Sequence, residues 1–218
     1  MSKVIDIIVA TRNRYEKLMG LLNSIPKKVK AYDIHTHVIC DGDSKTYNKL
    51  SNNSSIYRLG LSGTNIGSVL CRNELLEEIT NNVIPAVDDM EFPEGSIEQA
   101  ITDMENHYPD DDGVIGFKQT GSPNFHPAGM TMIGIKFLNR YPKNHLFCPE
   151  YFHFACQEIY WLAMKLNKFI QSKATIHHLS PFSNKKYFDQ THWDARKKNS
   201  EDHAMMKERK AKHLIWGE

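Results

Sequence analysis

Three polar clusters stand where apolar runs end: Thr11, Arg12 and Arg14 after residues 4–10, Asp41 and Asp43 after 37–40, and Asp88 and Asp89 after 83–87. Such residues could hold a nucleotide. A carboxylate receives the N–H groups of a base, arginines pair with phosphates, and an acidic pair brings in a divalent metal that shares phosphate oxygens. Mg2+ or Mn2+ suits one or two carboxylates plus substrate phosphates. An adjacent Asp-Asp gains weight when it directly follows an apolar run, as Asp88-Asp89 follows Val83-Ile84-Pro85-Ala86-Val87.

The elements that must position these residues read as alternating strands and helices. Residues 4–10 form a β-branched run suited to a strand buried on both faces. Asn13 and Glu16 fit a helix N-cap with its capping-box partner, and Leu18, Leu21, Leu22 and Ile25 recur at helical spacing before Pro26. Strands are expected at 37–40, 56–59 and 83–87, and a glycine-rich loop (Gly60, Gly63, Gly67) opens a helix reaching about residue 79. This order predicts an α/β fold, a mostly parallel sheet with helices on both faces. In open sheets of that kind ligands sit beyond the carboxyl ends of the strands, where all three clusters fall.

The second half is less regular. Strands are expected at 114–118 and 130–134, with Pro123 and Pro127 in the loop between them, and at 174–177. Ala155, Ile159, Leu162, Leu166 and Phe169 make a helical stripe within 151–170, and a charged, helix-rich tail follows. The organisation expected is a main domain over 1–180, divided into halves at 1–90 and 91–180, with a tail over 181–218.

With 218 residues, 40% of them hydrophobic, the chain is long enough to bury a core without disulfides or a structural metal. Its net charge of +1 excludes a globally basic nucleic-acid coat. Charge is nevertheless segregated: residues 77–112 hold twelve acids and no Lys or Arg, whereas 185–218 hold nine Lys or Arg against six acids. The longest apolar run, 159–164, is far short of the roughly 20 residues of a membrane span. No signal peptide is legible, and Cys40, Cys71, Cys148 and Cys156 lack the spacing of a metal or disulfide framework. A cytoplasmic setting is expected. The glycines spell neither G-x-G-x-x-G nor a P-loop.

Four segments in order resemble the glycosyltransferases of the GT-A fold, especially family 2: Thr11-Arg12-Asn13-Arg14, Asp41-Gly42-Asp43-Ser44, Asn65-x-Gly67-x-x-x-Cys71-Arg72-Asn73 and Val87-Asp88-Asp89. The third is the most specific, matching that family's N-x-G-x-x-x-A-R-N except at Cys71. The resemblance implies a Rossmann-like GT-A sheet with a helix-rich C-terminal part. It implies that Asp41, Thr11 and Arg14 line the base pocket of a nucleotide-sugar donor, most often a uridine diphosphate sugar. Arg72 would lie near the ribose and pyrophosphate. Asp89, helped by Asp88, would hold the metal, with His178 or His177 as a further ligand. Glu158, in Gln157-Glu158, would be the base that deprotonates the acceptor hydroxyl for an inverting displacement.

The chain departs from the family at Cys40, at Val87 or Met90, and at Gln157, where further acids would stand. Bland readings compete with these roles: Glu158 as a helix-edge carboxylate, one of His177 and His178 as a core histidine, Asp110-Asp111-Asp112 as a solvated turn, and His35 and His37 as structural. Two acceptors are compatible with the sequence, a glycan or a hydroxymethylated pyrimidine in DNA of the kind bacteriophage enzymes modify. Lys185, Lys186, Arg196 and Lys197 interleaved with Tyr187, Phe188 and Trp193 suit the second. The alternatives are a nucleotide-binding module of the same fold without transferase activity and a two-metal nuclease using Asp41, Asp88 and Asp89.

Overall fold

The run after Lys3 forms β1 (Lys3–Thr11), buried throughout its middle and flanked by parallel neighbours. Those neighbours are β3 (Tyr32–Asp41) and β5 (Asn82–Val87). A short β2 (Lys28–Val29) and β4 (Arg58–Ser62) both pair with the outer edge of β3, β2 antiparallel and β4 parallel. The computed structural model describes residues 3–120, 129–153, 155–179, 181 and 184–218. Pro123 and Pro127 lie outside them.

Parallel pairing requires crossovers, and helices supply them on both faces. α1 (Tyr15–Ser24) buries Leu18, Leu21 and Leu22 on one side, joined there by α4 (Ser96–His107) through Ile97, Ala100, Ile101 and Met104. α2 (Ser44–Leu50) connects β3 to β4. α3 (Ser68–Leu76) buries Val69, Cys71, Leu75 and Leu76 on the other side. The predicted capping box at Asn13 is not formed. The N-cap is Arg14, and Asn13 adopts a left-handed φ of 56° that aims its N–H at Asp43 Oδ2, 2.7 Å away.

The sheet then changes character. β6 (Met90–Glu91) follows the Asp88-Asp89 turn, and β7 (Val114–Thr120), β8 (Thr131–Ile133) and β9 (Phe169–His178) complete the order β2-β3-β1-β5-β8-β7-β9-β6. β8 is antiparallel to both β5 and β7. Its register with β5 is confined to Val83↔Ile133, so Pro85, which has no N–H to give, lies beyond the paired stretch. β9 runs parallel to β7 and antiparallel to β6, setting His178 opposite Met90. α5 (Ile135–Leu138) and α6 (Cys156–Lys165) cover this half, and α6 buries Ile159, Leu162 and Ala163 as the stripe predicts.

Most of the tail is one helix, α7 (Gln190–Ala211), without an apolar stripe. It is nonetheless fastened: Met205, Met206, Ile215 and Trp216 pack on the second core, and buried Asp202 accepts the Phe152 and His153 N–H groups at 3.0 and 2.7 Å. The solvated turn expected at Asp110–Asp112 is present, with Asp110 exposed, and is corrected only at Asp112. Asp112 is buried, pairing with Arg140 and with Lys168 at 3.1 Å.

Candidate functional site

β1, β3, β4 and β5 are mutually parallel, so Thr11, Asp41, Ser62 and Val87 end on one edge of the sheet. The fold thereby brings together most residues singled out in the sequence. Thr11 donates its hydroxyl proton to Asp88 Oδ2 at 2.8 Å, and Arg14 Nη1 donates to Asp88 Oδ1 at 3.0 Å and to Asp89 Oδ2 at 3.4 Å. His178 Nε2 lies 3.4 Å from Asp89 Oδ1, while its Nδ1 is 3.1 Å from Gln119 Oε1. His177 points elsewhere, to the Thr120 hydroxyl. The antiparallel pairing of β6 with β9 sets the His178–Asp89 contact, anchored by the Leu179 N–H on the Asp89 carbonyl at 2.8 Å.

The two aspartates share burial but not acidity. Burial raises Asp88 to about 6, against the opposing charge of Arg14 and with the help of its neighbour Asp89. Burial would also raise Asp89, but the hydrogen bond to His178 and the charge of Arg14 prevail, and its carboxyl sits below the ordinary value.

Asp41 is placed at the same edge, facing the backbone. Its Oδ1 accepts the Ile66 N–H at 2.7 Å and its Oδ2 the Gly67 N–H at 3.0 Å, with the Ser62 hydroxyl at 3.2 Å from Oδ1. The carboxylate fastens the loop that starts α3. Gly67 is required there: at φ 92°, an added Cβ would meet the Phe152 carbonyl oxygen at 2.5 Å.

Arg72, on α3, is buried. Its Nε donates to the Ser68 carbonyl at 3.0 Å and its guanidinium lies 4.0 Å from the centre of the Phe147 ring. No described carboxylate forms a salt bridge with it, and burial pushes it down to about 10. A buried cation lacking a counter-ion is a natural place for an anion.

Glu158 is not the helix-edge carboxylate of the competing reading. Only 2% exposed, its Oε1 accepts from Arg209 Nε at 2.6 Å and the Tyr151 hydroxyl at 2.7 Å; its Oε2 accepts from Arg209 Nη2 at 3.1 Å and the Trp216 N–H at 2.6 Å. A general base needs a lone pair within reach of the proton it takes. Four donors saturate this carboxylate, whose role is to lock α7 and the residues beyond it onto α6.

Sequence reasoning missed three participants. Lys17, Asp189 and His192 converge on Arg14: Asp189 takes both Arg14 Nε and Nη2 at 3.0 Å, Lys17 Nζ reaches Asp189 at 2.6 Å, and His192 Nδ1 is 2.9 Å from Arg14 Nη2. Asp189 caps α7 by accepting the His192 N–H. That Asp-x-x-His capping spacing is the one local signal that could have found this end of the tail.

Among the described residues no group of three His, Cys, Asp or Glu side chains is arranged to hold a metal. The pair Asp89 and His178 does fit one, offering a hard oxygen and an imidazole nitrogen side by side and leaving the remaining positions to phosphate oxygens and water. His37 and His35 lie apart from this edge: His37 meets Asp6 at 2.7 Å and His35 stacks on Tyr57, as a structural role predicts. No cysteine is in a disulfide.

The fold is that of the GT-A glycosyltransferases. Residues 1–349 of S. aureus TarS in complex with UDP superpose with a TM-score of 0.62 at 18% identity, over 84% of this chain and 62% of that one. The same TarS segment with UDP-GlcNAc gives 0.58 at 18% identity, over 79% and 55%. The mannosyltransferase PcManGT from Pyrobaculum calidifontis, in complex with GDP-Man and Mn2+, gives 0.62 at 13% identity, over 80% and 56%. The chain thus spans less than two thirds of these proteins. No family model and no curated protein matches the sequence. No helix among the described residues is long and apolar enough to cross a membrane.

Proposed function

We propose that the chain is a glycosyltransferase that moves a sugar from a nucleoside diphosphate donor, a uridine diphosphate sugar by the sequence resemblance, to an acceptor hydroxyl. The observation that carries this reading is the cluster of Thr11, Arg14, Asp88, Asp89 and His178 at the carboxyl edge of the parallel strands. Neighbours of the same fold are solved with UDP, UDP-GlcNAc, and GDP-Man with Mn2+. Asp89 and His178 would hold Mn2+ or Mg2+, which when bound supplies Lewis-acid stabilisation of the leaving diphosphate. Thr11 and Arg14 keep Asp88 and Asp89 in place, the loop tethered by Asp41 forms a wall for the base, and Arg72 offers positive charge to the phosphates. The acceptor hydroxyl oxygen bonds to the anomeric carbon from the face opposite the departing diphosphate, which inverts that centre, and the hydroxyl proton passes to water. The acceptor is a glycan or a hydroxymethylated pyrimidine in DNA.

The saturation of Glu158 favours one second reading, a nucleotide-binding module of this fold that transfers no sugar. Calorimetric titration of UDP with and without Mn2+ tests the donor site. Metal should tighten UDP binding in the native chain and have no such effect in Asp89→Asn, whereas equal binding throughout sinks the metal assignment. Assays with UDP-sugars over glycans and hydroxymethylated DNA then separate transferase from binding module.

A further inference from the structure

Arg14 has two working ends. Its Nη1 rests on Asp88 and Asp89, carboxylates delivered by β5 within the sheet. Its Nε and Nη2 grip Asp189, a carboxylate delivered from outside the sheet by the start of α7, 175 residues away in sequence. Lys17, three residues along the first turn of α1, completes the grip on Asp189 Oδ2 at 2.6 Å and also donates to the Tyr187 carbonyl at 3.1 Å. A guanidinium fork beside an ammonium is the donor set that proteins use for a multi-oxygen anion. Asp189 supplies two oxygens to it, and its side chain keeps 29% of its surface in solvent, whereas Arg14 keeps 9%. Arg14 is therefore built into the body of the fold, and Asp189, like Lys17, reaches solvent.

We infer that Arg14 and Lys17 are the seat of the donor's diphosphate, and that Asp189 is an internal anion occupying this seat until the diphosphate displaces it. The inference rests on the nucleotide-sugar reading for its ligand. It adds the residues that bind the diphosphate and a consequence: the first turn of α7 is a strap that must shift for the donor to enter. His192 lies against the same Arg14 edge and Thr191 bonds the Arg12 carbonyl at 3.1 Å, so the strap closes over the segment joining β1 to α1. Competition between an internal and an external anion weakens apparent affinity by the fraction of molecules already open.

The test is calorimetry with inorganic pyrophosphate, uridine and UDP on the full chain, each with and without Mn2+. Asp189→Asn keeps an oxygen to cap α7 but removes the charge. It should bind pyrophosphate and UDP about tenfold or more tighter while melting at a lower temperature, a pairing of opposite signs that a purely structural residue would not give. Lys17→Met should weaken both ligands and leave uridine unaffected. Trp193, four residues beyond Asp189 and 56% exposed, reports the strap: pyrophosphate should change its fluorescence, and the change should vanish in Trp193→Phe. Unchanged or weaker pyrophosphate binding by Asp189→Asn, or a silent Trp193, overturns the inference. Pyrophosphate that behaves as expected, with UDP binding no better than pyrophosphate, leaves the seat intact and removes the nucleotide reading instead.

Discussion

Arg72 and Glu158 are both buried charges, and their surroundings assign them opposite work. Arg72 has a carbonyl and an aromatic ring but no described acidic partner, an arrangement that costs stability and is kept where charge has a use. Replacing Arg72 with Met should raise the unfolding free energy by about 1–2 kcal/mol while weakening UDP binding, which thermal melts and calorimetry check together. A loss of stability with unchanged UDP affinity would make Arg72 a packing residue. That Thr11, Arg14, Asp88 and Asp89 meet at one sheet edge was legible because each follows an apolar run whose end a strand fixes. His178 was legible only as one of two neighbours, and alternation along β9 decides between them. Asp189 and His192 were not legible. They lie in a charged stretch without periodicity, and their partner Arg14 is 175 and 178 residues distant.

At the scale of elements, the parallel core β4-β3-β1-β5 follows from β-branched runs alternating with helical stripes, a pattern local enough to read. In the second half β8 falls within the strand expected at 130–134, but β6, two residues long, is too short for any periodicity to register. α7 defeats pattern reading altogether, because a helix with no apolar stripe gives no sign of the face it buries. Beside the packing of Met205 and Met206, its attachment is polar: Asp202 at one point, and Glu158 with Arg209 and Trp216 at another. Glu158→Gln should therefore cost about 3–5 kcal/mol of stability, the usual penalty for stranding one member of a buried pair. Proteolysis and thermal melts would show it, with α7 released first. A variant as stable as the native chain but catalytically dead would restore the base role to Glu158.

For the whole molecule, Asp112 ties together pieces far apart in sequence. It sits before β7 and holds Arg140, just past α5, with Nη2 at 2.8 Å from its Oδ2, and Lys168, at the foot of β9. The Arg140 hydrogen bond holds the Asp112 carboxyl below its ordinary 3.8 despite burial. A carboxylate whose folded value is depressed contributes stability that is complete above the unfolded value and lost as pH falls through the folded one. Stability should thus decline below about pH 4, and Asp112→Asn should lower the plateau at neutral pH while flattening that acid limb; a parallel downward shift at every pH would refute the linkage. The pairing of β6 with β9 has a kinetic meaning as well. Asp89 meets His178 and Leu179 across some ninety residues of chain, a closure among the most non-local in the sheet. Refolding should build the β1–β5 core first and gain UDP binding only in its slowest phase, so the nascent protein would acquire its ligand after it had already acquired its shape.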